Sequence, residues 1–253
     1  MVKSLLKIIV ITQARIGSTR LPGKVLKLIG NQTILSLHLN RLKKSTIIDQ
    51  IVVATTHEEG VDQILEVAKE CEINYYQGST NDVLDRFYQA AKLYKADYVV
   101  RVTSDCPLVD PVLLDDVVSF TIKHQVDYCS NVLIEDFPDG QDIEVIKFSA
   151  LEKAWVECKD ELEREHVTGY IIENASFNQK NMFKSINYDS PKKWNHVRMT
   201  VDHEEDILAI RTLVDKLGAF NDWETYTQYI INHPYEFKNQ KITRNECYTD
   251  KKG

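Results

Sequence analysis

The most constraining feature of this chain is a regular alternation between short apolar runs and helix-periodic segments over its first hundred residues. Leu5 to Ile11 is an apolar run that reads as a strand ending at Thr12. Thr33 to Lys44 has a broad apolar face in Ile34, Leu35, Leu37, His38, Leu39 and Leu42, the spacing of a helix. Strands are then expected at Ile51 to Thr55, Ile73 to Tyr76 and Tyr98 to Val102. Helices are expected at Glu59 to Glu72 and Asn81 to Tyr94. Strands separated by helices build a mostly parallel sheet covered on both faces, joined by right-handed crossovers. Ligands of such sheets sit beyond the carboxyl ends of the strands. The loops beginning at Gln13, Thr56, Gln77 and Thr103 are therefore expected along one edge.

The pattern then loosens. Asp110-Pro111 has the form of a helix start, with Asp as N-cap and Pro at the first helical position. Asp127 to Asn131 reads as a strand, Glu135 to Gln141 as a polar turn, and Ile143 to Phe148 as a strand that departs from the parallel order. Ser149 is expected to cap a helix to about Lys159, and Leu162 to Asn174 to continue helically. Met182 to Tyr188 and Val197 to Val201 read as late strands, Glu204 to Leu217 and Trp223 to Ile231 as helices. The fold class is α/β: a mostly parallel Rossmann-like sheet with helices on both faces and a small late β-insert. Residues 1–237 form one expected domain. Residues 127–195 are a region for acceptor binding or dimerisation, and 238–253 a loose polar tail.

Between the first strand and the first helix lies Q-A-R-I-G-S-T-R-L-P-G-K, Gln13 to Lys24. Glycines let a backbone approach phosphate closely, and Arg grips phosphate oxygens in pairs. Arg15, Arg20 and Lys24 supply the charge. The loop is not a Walker A loop: Gly17 and Gly23 are one residue too far apart, and Val25 stands where a hydroxyl is needed. Nor is there a G-x-G-x-x-G. From Met1 to Ile48 there are nine Lys or Arg and no acid, whereas the remainder carries 22 basic and 38 acidic residues. A basic helix end at Arg41 to Lys44 accounts for three of the nine. The overall charge of −7 argues against a nucleic-acid binder. A basic segment in an acidic protein suits a small anionic ligand held locally.

The loop resembles the signature of the cytidylyltransferases that make CMP-activated sugars. The nearest likeness is to the spore-coat polysaccharide (SpsF) type, with a more distant one to the CMP-KDO and CMP-sialate synthetases. The resemblance continues through G-S-T-N-D-V-L-D-R (Gly78 to Arg86), R-V-T-S-D-C-P-L-V-D-P (Arg101 to Pro111), R-E-H-V-T (Arg164 to Thr168) and T-V-D-H-E-E-D (Thr200 to Asp206). It spans about residues 5 to 220. It implies a nucleotidyltransferase that joins CTP to a sugar, a sugar acid for a surface glycan, and releases pyrophosphate. It implies Mg²⁺ on Asp105 and Asp202, and catalytic roles for Arg15, Lys24 and Asp105. Gln13, Ala14, Arg15, Ser18, Arg20, Lys24, Arg86 and Ser104 would meet the nucleotide, and a homodimer is expected.

The residues themselves leave some of this open. Asp105 and Asp202 both follow expected strands, where two carboxylates with phosphate oxygens suit Mg²⁺. Asp202-His-Glu-Glu205 equally fits a helix capping box. Arg86 fits either the nucleotide or an ion pair with Asp82. Residues 139–144 fit an acceptor pocket or a solvated turn, and His166 a ligand contact or a buried helix histidine. Trp155, Trp194 and Trp223 read as packing residues. Five cysteines without a C-x-x-C pair indicate neither a zinc ribbon nor a disulfide framework. No apolar run reaches the roughly 20 residues of a membrane span, and no secretory leader is evident, so a cytoplasmic protein without membrane partners is expected. The rival activity is a nucleotide-sugar-dependent glycosyltransferase of related α/β fold. Such enzymes commonly hold metal on D-x-D, which this sequence lacks. A non-catalytic nucleotide-binding regulator is the other rival.

Overall fold

The structure is a computed structural model that describes residues 6–17 and 20–244. In chain order, β1 (Ile8–Gln13) is followed by a small ribbon, β2 (Leu28–Ile29) and β3 (Gln32–Thr33), then α1 (Ile34–Leu42). Next come β4 (Gln50–Thr55), α2 (Asp62–Glu70), β5 (Asn74–Gln77), α3 (Val83–Leu93), β6 (Tyr98–Thr103) and α4 (Pro111–His124). The later part holds β7 (Tyr128–Ser130), β8 (Glu144–Lys147), α5 (Phe148–Glu157), α6 (Glu161–His166), α7 (Gly169–Glu173), β9 (Ser185–Asn187), α8 (Glu204–Leu217) and α9 (Trp223–Asn232).

The sheet order is β5-β4-β1-β6-β8-β7-β9. β1 pairs in parallel with both β4 and β6, and β4 with β5. β8 is antiparallel to β6 and to β7, while β7 is parallel to β9, so β8 alone runs against the others. The central strand explains why its sequence is a continuous apolar run. Ile8 and Val10 face one layer with Leu35, Leu39 and Ile64. Ile9 and Ile11 face the opposite layer with Leu84, Phe87 and Leu151. A strand covered on both faces has no solvated side on which to alternate. The loops after β1, β4, β5 and β6 lie along one edge, as the parallel order requires.

Several later elements differ from the sequence reading. Ser149 lies inside α5, whose N-cap is Lys147. The helical stretch 162–174 is divided into α6 and α7 by Val167, at φ 66. Val197 to Val201 joins no ladder. It is extended and makes one isolated bridge, Asp139 to Arg198, flanked by Asp139 N–H to Val197 O at 2.9 Å and Met199 N–H to Asp139 O at 2.7 Å. Its partner is the turn expected to be solvated, in which Phe137, Asp139, Gly140 and Gln141 are all buried. Gly140 is required there: φ is +108, and a Cβ would lie 2.7 Å from the Met199 carbonyl carbon. The expected loose tail is folded as far as residue 244, and its residues 245–253 lie outside the described residues. Lys238–Lys241 is a 3₁₀ turn whose Asn239 is buried and donates to Asp206 at 3.0 Å.

Candidate active site

The edge formed by the strand ends opens into a cleft of about 1400 Å³. Gln13, Ala14, Arg15, Arg20, Lys24, Arg86, Ser104 and Asp105 all line it. Ser18 lies outside the described residues. Gly23, at φ 64, turns the loop back so that a single 3₁₀ turn begins at Lys24. That turn aims the Lys24 side chain inward. Its Nζ donates to Asp105 Oδ2 at 2.6 Å, Asp202 Oδ1 at 2.8 Å and the Val201 carbonyl at 2.9 Å. Arg20 donates to the same Asp202 oxygen at 2.9 Å.

Asp105 and Asp202 are 97 positions apart yet share this one ammonium. Backbone zipping brings them together: the Val201 N–H donates to the Asp105 carbonyl at 2.8 Å. Burial would raise the Asp105 carboxyl, but Lys24 outweighs it and holds the group at about 2. Burial would likewise lower the Lys24 ammonium, and the two carboxylates instead hold it at about 12.

The capping question at Asp202 has a definite answer. His203 is the N-cap of α8, and Asp206 supplies the carboxylate, accepting from the N–H groups of Asp202 and His203 at 2.9 Å each. The Asp202 side chain is thereby left to Arg20 and Lys24, both residues of the cleft wall, although Asp202 does not itself line the cleft. Arg86 does not pair with Asp82, which caps α3 and takes Arg164 at 2.7 Å. Arg86 is 1% exposed and gives one bond to the Ser79 carbonyl, while its Nε meets no acceptor. Burial, with Arg15 nearby, lowers its guanidinium to about 10. The three loop cations therefore do not act as one group. Lys24 and Arg20 sit on acids, whereas Arg15 and Arg86 face the cleft without a carboxylate bond among the described residues. Gln13 Oε1 and Arg101 Nε are also buried without partners.

The cytidylyltransferase family model matches residues 9–242. The chain belongs to the cytidylyltransferase family. It is 43% identical over 205 residues to an uncharacterized protein of Methanocaldococcus jannaschii, covering 79% of this chain and 80% of that one. It is 32% identical over 223 residues to the spore coat polysaccharide biosynthesis protein SpsF of Bacillus subtilis, covering 85% and 89%. Among solved structures, a cytidylyltransferase from Leptospira borgpetersenii matches with a TM-score of 0.88 at 35% identity, over 94% of this chain and all of that one.

Four residues of this cytidylyltransferase support the cleft without having stood out in its sequence. Arg198 forks onto Asp206 at 2.8 and 2.9 Å and reaches Asp139 at 2.8 Å, fixing the start of α8 and hence Asp202. Asp206 lay inside the T-V-D-H-E-E-D motif, but its partner is eight residues away in a segment that reads as plain strand. Glu58 accepts from the N–H groups of Ile16 and Gly17 at 2.7 and 3.1 Å. Two amides of the cationic loop thus bind a carboxylate of the protein itself, and a Cβ on Gly17 would lie 3.2 Å from that group. His38, counted as part of an apolar helix face, is fully buried. Its Nδ1–H donates to the Cys106 carbonyl at 2.9 Å, and Nε2 accepts from Thr12 at 3.0 Å. Burial lowers it to about 4, so it is neutral and ties α1 to the segment carrying Asp105.

Other expected roles resolve structurally. Ser104 donates to the Gln13 carbonyl at 2.6 Å and fastens two cleft loops together. Arg101 pairs with Glu144. Asp139 serves Arg198 and Asp142 serves Arg244, so the 139–144 segment is tied into the fold rather than a solvated turn, and none of its residues lines the cleft. His166 lines the cleft with Arg164 and Glu165. Trp194 and Trp223 pack edge to face, whereas Trp155 stacks on Tyr88 and also forms cleft wall.

Proposed function

We propose that the protein transfers the cytidylyl group of CTP to a hydroxyl of a sugar acid, giving a CMP-sugar and pyrophosphate for surface-glycan synthesis. Family membership supports the reaction class, and the relation to a spore-coat polysaccharide protein supports the pathway class. The observation that carries the reading is the convergence of Asp105 and Asp202 on one cation, beside a cleft in which Arg15 and Arg86 make no carboxylate bond among the described residues. Arg86 is buried; a buried guanidinium without a carboxylate bond is costly, and an anionic ligand offsets that cost. A triphosphate set against Arg15 and Arg86 places its leaving end on fixed positive charge. Membership in this family favours the reading over glycosyl transfer.

Two carboxylates that already share a cation are hard oxygen donors of the kind Mg²⁺ takes together with phosphate oxygens. Asp105 and Asp202 would hold that ion, which would neutralise charge developing at the α-phosphate. The protein's own residues do the rest. An acceptor hydroxyl oxygen bonds to the α-phosphorus as the bond to the β-phosphate oxygen breaks, and the hydroxyl proton passes to solvent. Arg15 and Arg86 take up charge on the departing pyrophosphate, and Lys24 joins them when it is released from the acids. Catalysis is positioning and charge stabilisation. The acceptor would meet Trp155, Arg164 and His166, which line the same cleft.

The test is a panel of four nucleoside triphosphates and several 2-keto sugar acids with Mg²⁺, read by pyrophosphate release and by the CMP-sugar formed. Release with CTP and one sugar acid is expected. Equal release with every nucleotide, or transfer from a preformed nucleotide-sugar, would overturn the reading. The expected homodimer is a separate proposition, tested by sedimentation velocity.

A further inference from the structure

Lys24 occupies its place as an ion would. Its ammonium has three donors and three oxygen acceptors at 2.6, 2.8 and 2.9 Å, two of them carboxylates. The side chain is only 12% exposed, and the acids it joins are 27% and 13% exposed. Carboxylates held this close repel each other unless a cation lies between them. We infer that Lys24 is an internal counter-ion that closes the Asp105–Asp202 pair to divalent metal until a nucleotide triphosphate draws its ammonium away. This rests on the reading of those two acids as metal ligands given above.

Metal and ammonium compete for the same two carboxylate oxygens. A divalent ion placed against Asp105 Oδ2 and Asp202 Oδ1 meets an ammonium already bonded to both atoms, so the metal enters only as the ammonium leaves. The ammonium does not leave for nothing, because a desolvated lysine needs acceptors. Phosphate oxygens are such acceptors, and Arg15 and Arg86, which make no carboxylate bond among the described residues, bring them to the same cleft. Metal and nucleotide therefore bind with positive coupling, and by linkage each strengthens the other equally. The free enzyme holds its acids in working position without holding metal. Arg20 stays on Asp202 and limits the movement of that side chain when Lys24 departs.

The experiment measures Mn²⁺ binding by electron spin resonance, without turnover, on wild type, Lys24→Met and Lys24→Met/Asp105→Asn. Wild type alone is expected to bind Mn²⁺ weakly. With α,β-methylene-CTP the affinity should rise by about ten-fold or more, within the usual range of coupling between sites. Lys24→Met alone should bind Mn²⁺ about ten-fold more tightly than wild type alone, with less further gain from nucleotide. The added Asp105→Asn should remove that gain and so locate the ion. Should Lys24→Met fail to fold, Lys24→Gln carries the same measurement. Mn²⁺ affinity equal to wild type in the folded Lys24 variants, with nucleotide-dependent binding intact in wild type, overturns this inference alone. Wild type that binds no Mn²⁺ even with α,β-methylene-CTP overturns the metal reading and this inference together.

Discussion

Two ionic clusters lie side by side in this molecule and use the same chemistry for opposite ends. Arg198 with Asp139 and Asp206 is sealed: the guanidinium is 5% exposed and Asp206 not at all. Lys24 with Asp105 and Asp202 borders the cleft, and each member retains some access to solvent. The sealed cluster has a planar, bidentate cation that cannot be exchanged without unfolding its surroundings. The open cluster has a flexible point charge that can be replaced by another cation. Asp202 belongs to both, since Arg198 also approaches its Oδ2 at 3.4 Å. The contrast teaches that one cluster is built to position, while the proposed function assigns the chemistry to the other.

The largest expected effect breaks the sealed cluster. Arg198→Met leaves Asp206 buried without a cation and Asp139 with Arg244 at 4.0 Å, and should lower unfolding free energy by about 3–5 kcal/mol in urea titrations. A loss no larger than that of Lys24→Met would erase the distinction between the clusters. Next comes Asp105→Asn in the open cluster, which should cut turnover by about 100- to 1,000-fold while unfolding transitions stay near wild type. Wild-type turnover in this variant would remove Asp105 from the chemistry.

Arg86→Met sharpens the comparison from the ligand side. Nucleotide affinity by calorimetry should fall by about ten- to a hundred-fold, the worth of a bond to a charged group. The thermal midpoint of the unliganded protein should not fall, because a buried cation without a carboxylate has been removed. The smallest effect concerns His38. Its folded-state value is depressed to about 4, so the stability it confers is present above its ordinary value of 6.5 and is lost as pH falls toward 4. Wild type should lose about 1 kcal/mol relative to His38→Gln between pH 7 and pH 5.5. A stability gap constant with pH would show His38 to be unshifted.

The sheet up to β6 was legible because parallel strands buried on both faces are written as uninterrupted apolar runs, and their helices as clear periodic faces. The cleft edge followed from that order alone. Asp105 and Lys24 were legible as strand-end acid and loop cation. What escaped the sequence depends on pairings distant in the chain. Val197 to Val201 has strand composition, but its neighbour is the Pro138–Gly140 turn, so no ladder forms. Asn239 read as part of a loose polar tail because a buried polar residue with partners looks the same in sequence as an exposed one. Glu58 gave no signal, since its partners are backbone amides 41 and 42 positions earlier. The three cations of the loop read as one cluster because charge is visible in a sequence and the acids that take it up are not.

The most direct test of the account is a crystal structure with α,β-methylene-CTP and Mn²⁺, located by anomalous scattering. The account predicts a manganese peak bonded to both Asp105 and Asp202, the triphosphate against Arg15 and Arg86, and the Lys24 ammonium moved onto a phosphate oxygen. Manganese bound away from those two acids, or a triphosphate touching neither arginine, would contradict it.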